Sequence, residues 1–263
     1  MVKTAIIGGT GVYDPEILDD IKEIIQDTKY GQVKVMVGNF EGHEVAFIPR
    51  HGSNHSVPPH LINYRANIMA LKELGVHNIM ATAAVGSLNF DLKPGHFVLA
   101  DQFLDFTKVR NNTFFEGGEA GVTHCDMTVP YCPKVRKAIE QVAMEKNKPL
   151  HNGGVYVCTE GPRFESAAEI RMFKILGGDI IGMTSVPEVC LARELGMCYG
   201  NISIVTNYAA GISPNILTHS EVVDIMKTTI ADVRTLIMNA VKYLDNEVSC
   251  DCKKILDEIG VQK

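Results

Sequence analysis

The chain has 263 residues, 46% of them hydrophobic and 21% charged, so it can bury a sizeable core. Its 25 basic and 31 acidic residues give a net charge of −6, which excludes a general nucleic-acid-binding face. Since no apolar run reaches the roughly 18 residues of a membrane span, we expect no membrane partner either. Seven irregularly spaced cysteines are typical of a reduced, cytoplasmic protein. We expect one domain over residues 1–246, followed by a C-terminal tail over 247–263.

The chain begins with a short predicted strand, Thr4 to Ile7, that runs into Gly8-Gly9-Thr10-Gly11. Neither of two familiar phosphate-binding motifs fits, because no Gly-Lys-Ser/Thr follows and Asp14 stands where a dinucleotide fingerprint has its third glycine. The turn is either purely structural or brings the backbone and the Thr10 hydroxyl close to a ligand.

A predicted hairpin follows, with strands from Val33 to Val37 and from Val45 to Ile48. Its second strand ends at Pro49-Arg50-His51-Gly52. A guanidinium can hold an oxyanion with two parallel hydrogen bonds, and His51 can add a third donor. An exposed Arg–His pair at a strand end is the alternative.

The middle of the chain alternates helices and strands. A helix from Asn63 to Leu74 precedes a strand from Asn78 to Ala84, where small residues leave the backbone at Ala83 and Ala84 accessible or simply pack tightly. Further predicted elements are the strands Phe97 to Leu99 and Gly154 to Cys158 and the helices Pro133 to Glu145 and Ala167 to Leu176.

The stretch from Asp179 to Gly211 predicts a strand, a polar loop, a helix and a second strand. Ser185 and Glu188 have the spacing of a capping box at the start of that helix. Thr184 and Asn207 then lie at the carboxyl ends of strands, the edge where open α/β sheets bind ligands. A helix amino terminus beside a hydroxyl is also a natural anion site.

Two residues have both a structural and a functional interpretation. Glu165 either stabilises the amino terminus of the next helix or accepts a hydrogen bond from a ligand. His219 precedes a long amphipathic helix, Ser220 to Leu244, and either is solvated or contacts a ligand.

The histidines do not predict a metal site, and the terminal cysteines leave two states open. His51, His55 and His60 have no nearby acidic residue and fit no helix face. Cys250 and Cys252 can form a strained disulfide or stay reduced, and the cytoplasmic setting favours free thiols.

Taken together, these stretches resemble the trimeric purine nucleoside phosphorylase and methylthioadenosine phosphorylase family. The resemblance covers Gly8 to about Leu244 and rests on motifs in family order: Gly-Gly-Thr-Gly-Val, Arg-His-Gly, Ala-Val-Gly-Ser, Glu-Gly-Pro-Arg-Phe-Glu and Gly-Met-Thr-Ser-Val-Pro-Glu. It implies a three-layer α/β/α fold with a twisted mixed sheet. It also implies phosphorolysis, in which inorganic phosphate attacks the anomeric carbon of a nucleoside and expels the purine, with no metal or organic cofactor.

The resemblance also assigns roles to residues. Phosphate would be bound by Thr10, Arg50, His51, Ala83, Ala84 and Thr184. The nucleoside would meet Phe164, Met183, Asn207, Tyr208 and Ala209. Catalytic roles fall to Asn207 and His51, and His124 would reach the sugar of a neighbouring subunit in a homotrimer or a dimer of trimers.

Three positions indicate the substrate. Family members that take 6-aminopurines carry aspartates at Asn207 and Ala209, whereas an amide here suits the N7 and O6 of a 6-oxopurine. A carboxylate at Glu165 accepts from N1–H of an oxopurine, and adenine has no such hydrogen. His219 matches a histidine that meets a 5′-hydroxyl. The sequence therefore predicts an enzyme for inosine and guanosine.

Four alternatives remain open at this point. They are a methylthioinosine phosphorylase, a methylthioadenosine phosphorylase, a dinucleotide-dependent oxidoreductase and a non-catalytic nucleoside-binding protein.

Overall fold

The computed structural model of the chain describes residues 2–9, 12, 17–52, 56–213, 219–244 and 250–258, with only the backbone at His219, Glu221 and Glu258. The strands are β1 Thr4–Gly8, β2 Asp19–Thr28, β3 Gly31–Phe40, β4 His43–Pro49, β5 Asn78–Ser87, β6 Phe97–Leu99, β7 Gln102–Phe106, β8 Leu150–Asn152, β9 Val155–Thr159, β10 Ile180–Gly182 and β11 Cys198–Tyr208. The helices are α1 Tyr64–Glu73, α2 Pro133–Glu145, α3 Ala167–Ile175, α4 Ser185–Glu194, α5 His219–Leu244 and α6 Lys254–Glu258.

All eleven strands of the described residues join one mixed sheet. Its main path runs β2-β3-β4-β1-β5-β10-β9-β7, and β11 pairs with β5 and β6 while β8 pairs with β6. The central strands β4, β1, β5 and β11 are parallel, whereas β10 lies antiparallel to β5. This arrangement confirms the predicted α/β class with a mixed sheet.

The sheet has a hydrophobic layer on each face, because successive side chains of a strand point in opposite directions. On β1, Ala5 and Ile7 pack into the cluster that includes α1 and α4, whereas Ile6 packs into the cluster that includes α2 and α5. On β5, Ile79 and Met80 are divided in the same way. Helices on both faces give the expected three layers.

Most predicted elements are present, and their ends follow from capping. Asn63 caps α1 by accepting from the backbone N–H of Ala66. Ser166 and Glu169 form a reciprocal capping box at α3. The strands β5 and β11 are longer than predicted, and β2, β7 and β8 were not predicted.

The predicted capping box at α4 is wrong. Thr184 is the N-cap residue and makes no side-chain capping bond, and Val186 has extended dihedral angles inside the helix. The Ser185 hydroxyl pairs instead with the Tyr131 hydroxyl at 2.7 Å. Glu188 is fully buried and turns away from the helix start. The amino terminus of α4 is therefore not the regular helix end that the sequence predicted as an anion site.

The segment 250–258 packs against the domain. Cys252 and Ile255 are buried, and the side chain of Leu256 lies so close to Gly196 that a Cβ atom there would approach it to 2.8 Å. All seven cysteines are free thiols, in agreement with the expectation for Cys250 and Cys252. The boundary between domain and tail stays a prediction. In the described part of the chain, no helix has both the length and the apolar character needed to cross a bilayer.

Candidate active site

A cavity of about 860 Å³ opens where β5 changes its neighbours. On one edge, β1 pairs with β5 only as far as Ala81, and β10 begins to pair at Gly86. Between these two points, residues 82–85 of β5 face the cavity instead of a described strand, while β11 covers the other edge. The gap in the sheet thus places backbone groups beside a ligand-sized space.

Only part of that backbone points into the gap. The Thr82 carbonyl accepts from Arg50 on the gap side, whereas the Val85 carbonyl accepts from Thr206 of β11 on the other side. Because backbone groups alternate between the two edges of a strand, the N–H of Ala84 points into the gap and that of Ala83 points towards β11. The geometry favours Ala84 over Ala83 as a backbone donor to a ligand.

Arg50 follows β4 directly and lines the cavity. One edge of its guanidinium, formed by Nε and Nη2, is hydrogen-bonded to Glu188. Its Nε and Nη2 atoms donate to the two carboxylate oxygens of Glu188 at 2.8 and 2.7 Å. Both side chains are buried, and Tyr199 donates to the same carboxylate at 2.7 Å. Burial by itself would lower the pKa of Arg50, but the charge and hydrogen bonds of Glu188 outweigh it and raise that pKa.

This pairing corrects the prediction that Arg50 would clamp an anion with two parallel bonds. Glu188 takes that edge, and Nη1 donates one of its two hydrogens to the Thr82 carbonyl at 2.7 Å. The second hydrogen of Nη2 points to the Ile7 carbonyl at 3.4 Å. Of the five N–H groups of Arg50, one is therefore left to reach an anion while the pair lasts. The sequence did not identify Glu188 as the partner of Arg50, because the two residues lie 138 positions apart.

His51 and Thr184 line the same cavity and are both buried. The Nδ1 atom of His51 lies 2.9 Å from the Val57 carbonyl, which can only accept, so Nδ1 carries the hydrogen. The ring can then donate to an anion only through a protonated Nε2. A neutral His51 would instead accept from a protonated oxygen of phosphate.

Glu165 and Phe164 also line the cavity. One carboxylate oxygen of Glu165 accepts from the Thr159 hydroxyl at 2.6 Å. Burial raises the pKa of Glu165, and the bond from Thr159 opposes that rise. Phe164 lines the cavity and is 44% exposed. Together they form a partly enclosed acceptor beside an aromatic surface.

Asn207 is the penultimate residue of β11, and its buried side chain lines the cavity. Its Oδ1 accepts from the Thr206 hydroxyl at 2.9 Å, and its Nδ2 donates to the Tyr208 carbonyl at 3.0 Å. These two bonds fix the amide orientation, and the NH₂ group has a second hydrogen for a ligand. Gly86 allows this approach, since a Cβ atom there would lie 3.1 Å from Nδ2 of Asn207.

Arg110 does not line the cavity but holds two of its loops, and the sequence did not reveal this role. Its buried guanidinium donates to the carbonyls of Met183 and Val186, each at 2.7 Å, and to that of Glu160 at 2.7 Å. It also pairs with the Glu160 carboxylate at 3.0 Å. Arg110 thereby ties together the two loops that carry Glu165 and Met183, and it comes from an irregular segment with no sequence motif.

The helix α5 closes the cavity with a mainly apolar wall. Its cavity-lining residues are Val222, Val223, Met226, Lys227, Ile230 and Arg234. Arg234 was not predicted as a site residue, and it donates to the Val12 carbonyl at 3.3 Å. The wall combines a hydrophobic surface with two cationic side chains.

Of the other predicted residues, some line the cavity and some do not. Met183 and Ala209 line it. The Tyr208 ring lies outside the cavity and packs on Phe90 at 5.3 Å, because adjacent residues of a strand face opposite ways. His124 is exposed and does not line the cavity of its own chain. Thr10 and the side chain of His219 lie outside the described residues.

A family comparison agrees with this geometry. The profile of the Phosphorylase superfamily matches residues 3–242. The chain belongs to this superfamily. Membership overturns the alternative of a dinucleotide-dependent oxidoreductase.

Individual relatives cover nearly the whole chain. A probable 6-oxopurine nucleoside phosphorylase of Thermococcus kodakarensis is 55% identical over 261 residues, which are 97% of this chain and 98% of the relative. A probable S-methyl-5′-thioinosine phosphorylase of Methanocaldococcus jannaschii is 49% identical over 251 residues, covering 95% and 96%. Among solved structures, methylthioadenosine phosphorylase from Schistosoma mansoni in complex with adenine has a TM-score of 0.90 at 34% identity, covering 99% and 97%.

Proposed function

We propose that this phosphorylase-superfamily enzyme cleaves 6-oxopurine nucleosides with orthophosphate, giving the free base and ribose 1-phosphate for purine salvage. The observation that supports the proposal is that Glu165 and Asn207 line the same cavity as Arg50 and His51. One end offers an acceptor and an amide to a purine, and the other offers donors to an anion.

At the anion end, phosphate would meet one N–H of Arg50, the ring of His51, the Thr184 hydroxyl and the backbone N–H of Ala84. We include Thr10 on the resemblance of its glycine turn. The bound phosphate would attack the anomeric carbon, so that the C–O bond forms as the C–N bond to the purine breaks. Its negative charge beside the sugar stabilises an oxocarbenium-like transition state.

At the base end, the fixed amide of Asn207 would donate to N7 and O6 of the purine, where negative charge grows as the base leaves. An ionised Glu165 would accept from N1–H and, in guanosine, from the 2-amino group. Adenine offers only an acceptor at N1, which would face the Glu165 carboxylate without a hydrogen between them. A site built for one hydrogen bond can reject such an analogue by about 10⁴–10⁵.

A second substrate is favoured by one specific observation. Val222, Val223 and Met226 of α5 line the cavity and would suit an apolar 5′-methylthio group. A methylthioinosine phosphorylase would keep the same contacts to the base. His219 is the residue we assign to a 5′-hydroxyl, so this choice concerns only the sugar end. Methylthioadenosine is the weaker alternative, because it shares the mismatch of adenine with Glu165.

We further propose that the enzyme works as a cytoplasmic homotrimer, alone or as a dimer of trimers, without metal or organic cofactor in its reaction. The exposed His124 follows a glycine-rich segment, from where it would reach the sugar end of a neighbouring cavity. Sedimentation velocity measures the assembly. A His124→Ala variant that keeps full activity towards inosine would contradict the assigned role of this residue.

The function is tested by measuring base release from inosine, guanosine, adenosine and 5′-methylthioinosine at fixed phosphate. We expect both 6-oxopurine ribonucleosides to be cleaved and adenosine to be rejected. A preference for 5′-methylthioinosine over inosine would replace the primary assignment with the second candidate.

A further inference from the structure

Four cysteines from three separate parts of the chain meet far from the cavity. Cys132 directly precedes α2, and Cys198 begins β11. Cys250 and Cys252 lie at the start of the segment 250–258. The four sulfur atoms all lie within 4.8 Å of one another. Cys250 is half-buried and the other three are buried. We call these residues the four-thiol cluster.

The sulfur spacing suits a metal better than disulfides. A tetrahedral site with Zn–S bonds of about 2.3 Å places its sulfur atoms about 3.8 Å apart. The sulfur atoms of Cys198 and Cys250 are 3.2 Å apart, and 4.8 Å is the upper limit for the whole cluster. This range brackets the tetrahedral spacing and exceeds the disulfide bond length of about 2.05 Å.

We propose that the four-thiol cluster binds one Zn²⁺ ion as a structural site. The ion displaces one proton from each thiol, and four thiolates with one Zn²⁺ carry a net charge of −2. Thiolate sulfur is a preferred ligand for this ion, and four sulfur ligands leave no open position for catalysis.

The site would act on stability and not on the reaction. Cys198 and Asn207 lie nine residues apart on the same extended strand, which corresponds to about 30 Å. The ion would join the segment 250–258 to α2 and β11. Metal binding then contributes directly to the folding free energy, because the unfolded chain has no preformed site.

The test uses the full chain, purified anaerobically with reductant and equilibrated with one equivalent of Zn²⁺. We expect about one zinc per chain after gel filtration, measured by elemental analysis, and a several-degree fall in Tm when a chelator removes it. Replacing Zn²⁺ with Co²⁺ should give the intense visible bands and thiolate charge-transfer absorption of a tetrahedral sulfur site. The double variant C250S/C252S should lose the metal, whereas C125S/C190S, which alters two cysteines outside the cluster, should retain it.

If the double variant does not fold, the zinc content of wild-type protein tests the proposal by itself. Reduced wild-type chain that retains no zinc after gel filtration would overturn the proposal. So would zinc retained equally by C250S/C252S. An intact mass lower by the four hydrogens of two disulfides, in protein kept under reductant, would also overturn it and assign the cluster to disulfide chemistry.

Discussion

The buried pair of Arg50 and Glu188 makes a sharp prediction for the variant Glu188→Gln. The Glu188 carboxylate is fully buried and accepts three hydrogen bonds, two from Arg50 and one from Tyr199. Glutamine keeps the shape but replaces one acceptor oxygen with an NH₂ donor. At least one donor would then face another donor, and the Arg50 charge would lose its counter-charge.

The structure sets the size of this effect. Removing one member of a buried ion pair costs about 3–5 kcal/mol. For a chain of this length, each kcal/mol corresponds to about 2–4 °C, so Tm should fall by roughly 10 °C. Tyr199→Phe is the matched control because it removes one bond to the carboxylate and keeps the ion pair, and its cost should be about 1.5–3 kcal/mol.

Phosphate adds a second readout. In Glu188→Gln, the Arg50 charge has no buried counter-charge, so an anion in the cavity should be attracted to it more strongly and orthophosphate should raise Tm more in the variant than in wild type. The kcat for inosine should fall because the guanidinium is no longer fixed. Differential scanning calorimetry at several phosphate concentrations measures the first effect. A variant as stable as wild type, with the same response to phosphate, would show that the Arg50–Glu188 pair contributes neither to stability nor to the anion site.

The remaining predictions concern the base end and its support. Asn207→Asp should lower kcat/KM for inosine by at least about tenfold and raise it for adenosine, because a protonated carboxyl can give a proton to N7; unchanged selectivity in steady-state assays would exclude Asn207 from base recognition. Burial raises the pKa of Glu165, so the acid limb of the pH–rate profile for inosine cleavage should lie at a higher pH than an ordinary carboxyl group would give. Glu165→Gln should abolish that limb. The same raised pKa means that the folded state binds this proton more tightly than the unfolded state, so stability is lost as pH rises from about 4.5 through the folded-state pKa, and Glu165→Gln should have a higher Tm at pH 7. Arg110→Lys should raise KM for inosine more than KM for phosphate, because one ammonium cannot hold both loops; equal changes in both constants would point to a general loss of structure.

Sequence patterns located the elements whose signals are local. The helix α3 and the β-branched run within β11 are both recognised from short windows of sequence, and both predicted elements are present. The strand β2 gave no such signal, since it pairs only with β3 and exposes much of its surface. A partly exposed edge strand has little need of the apolar alternation by which strands are recognised.

The site was harder to predict because its contacts cross the fold. Glu188 has the spacing of a capping residue, yet tertiary packing turns it to Arg50, where a buried guanidinium needs a counter-charge. Arg110 acts mainly through backbone carbonyls, which carry no sequence signature. Cys132 and Cys198 join Cys250 only once three elements have packed together.

The proposed function is tested by comparing inosine and adenosine as substrates, each in the presence and absence of orthophosphate. Free base is quantified by chromatography, and ribose 1-phosphate is identified as the second product. We expect inosine cleavage to require phosphate and kcat/KM for inosine to exceed that for adenosine by about 10⁴. Rapid release of adenine with little release of hypoxanthine, or cleavage of inosine at the same rate without phosphate, would contradict the proposed function.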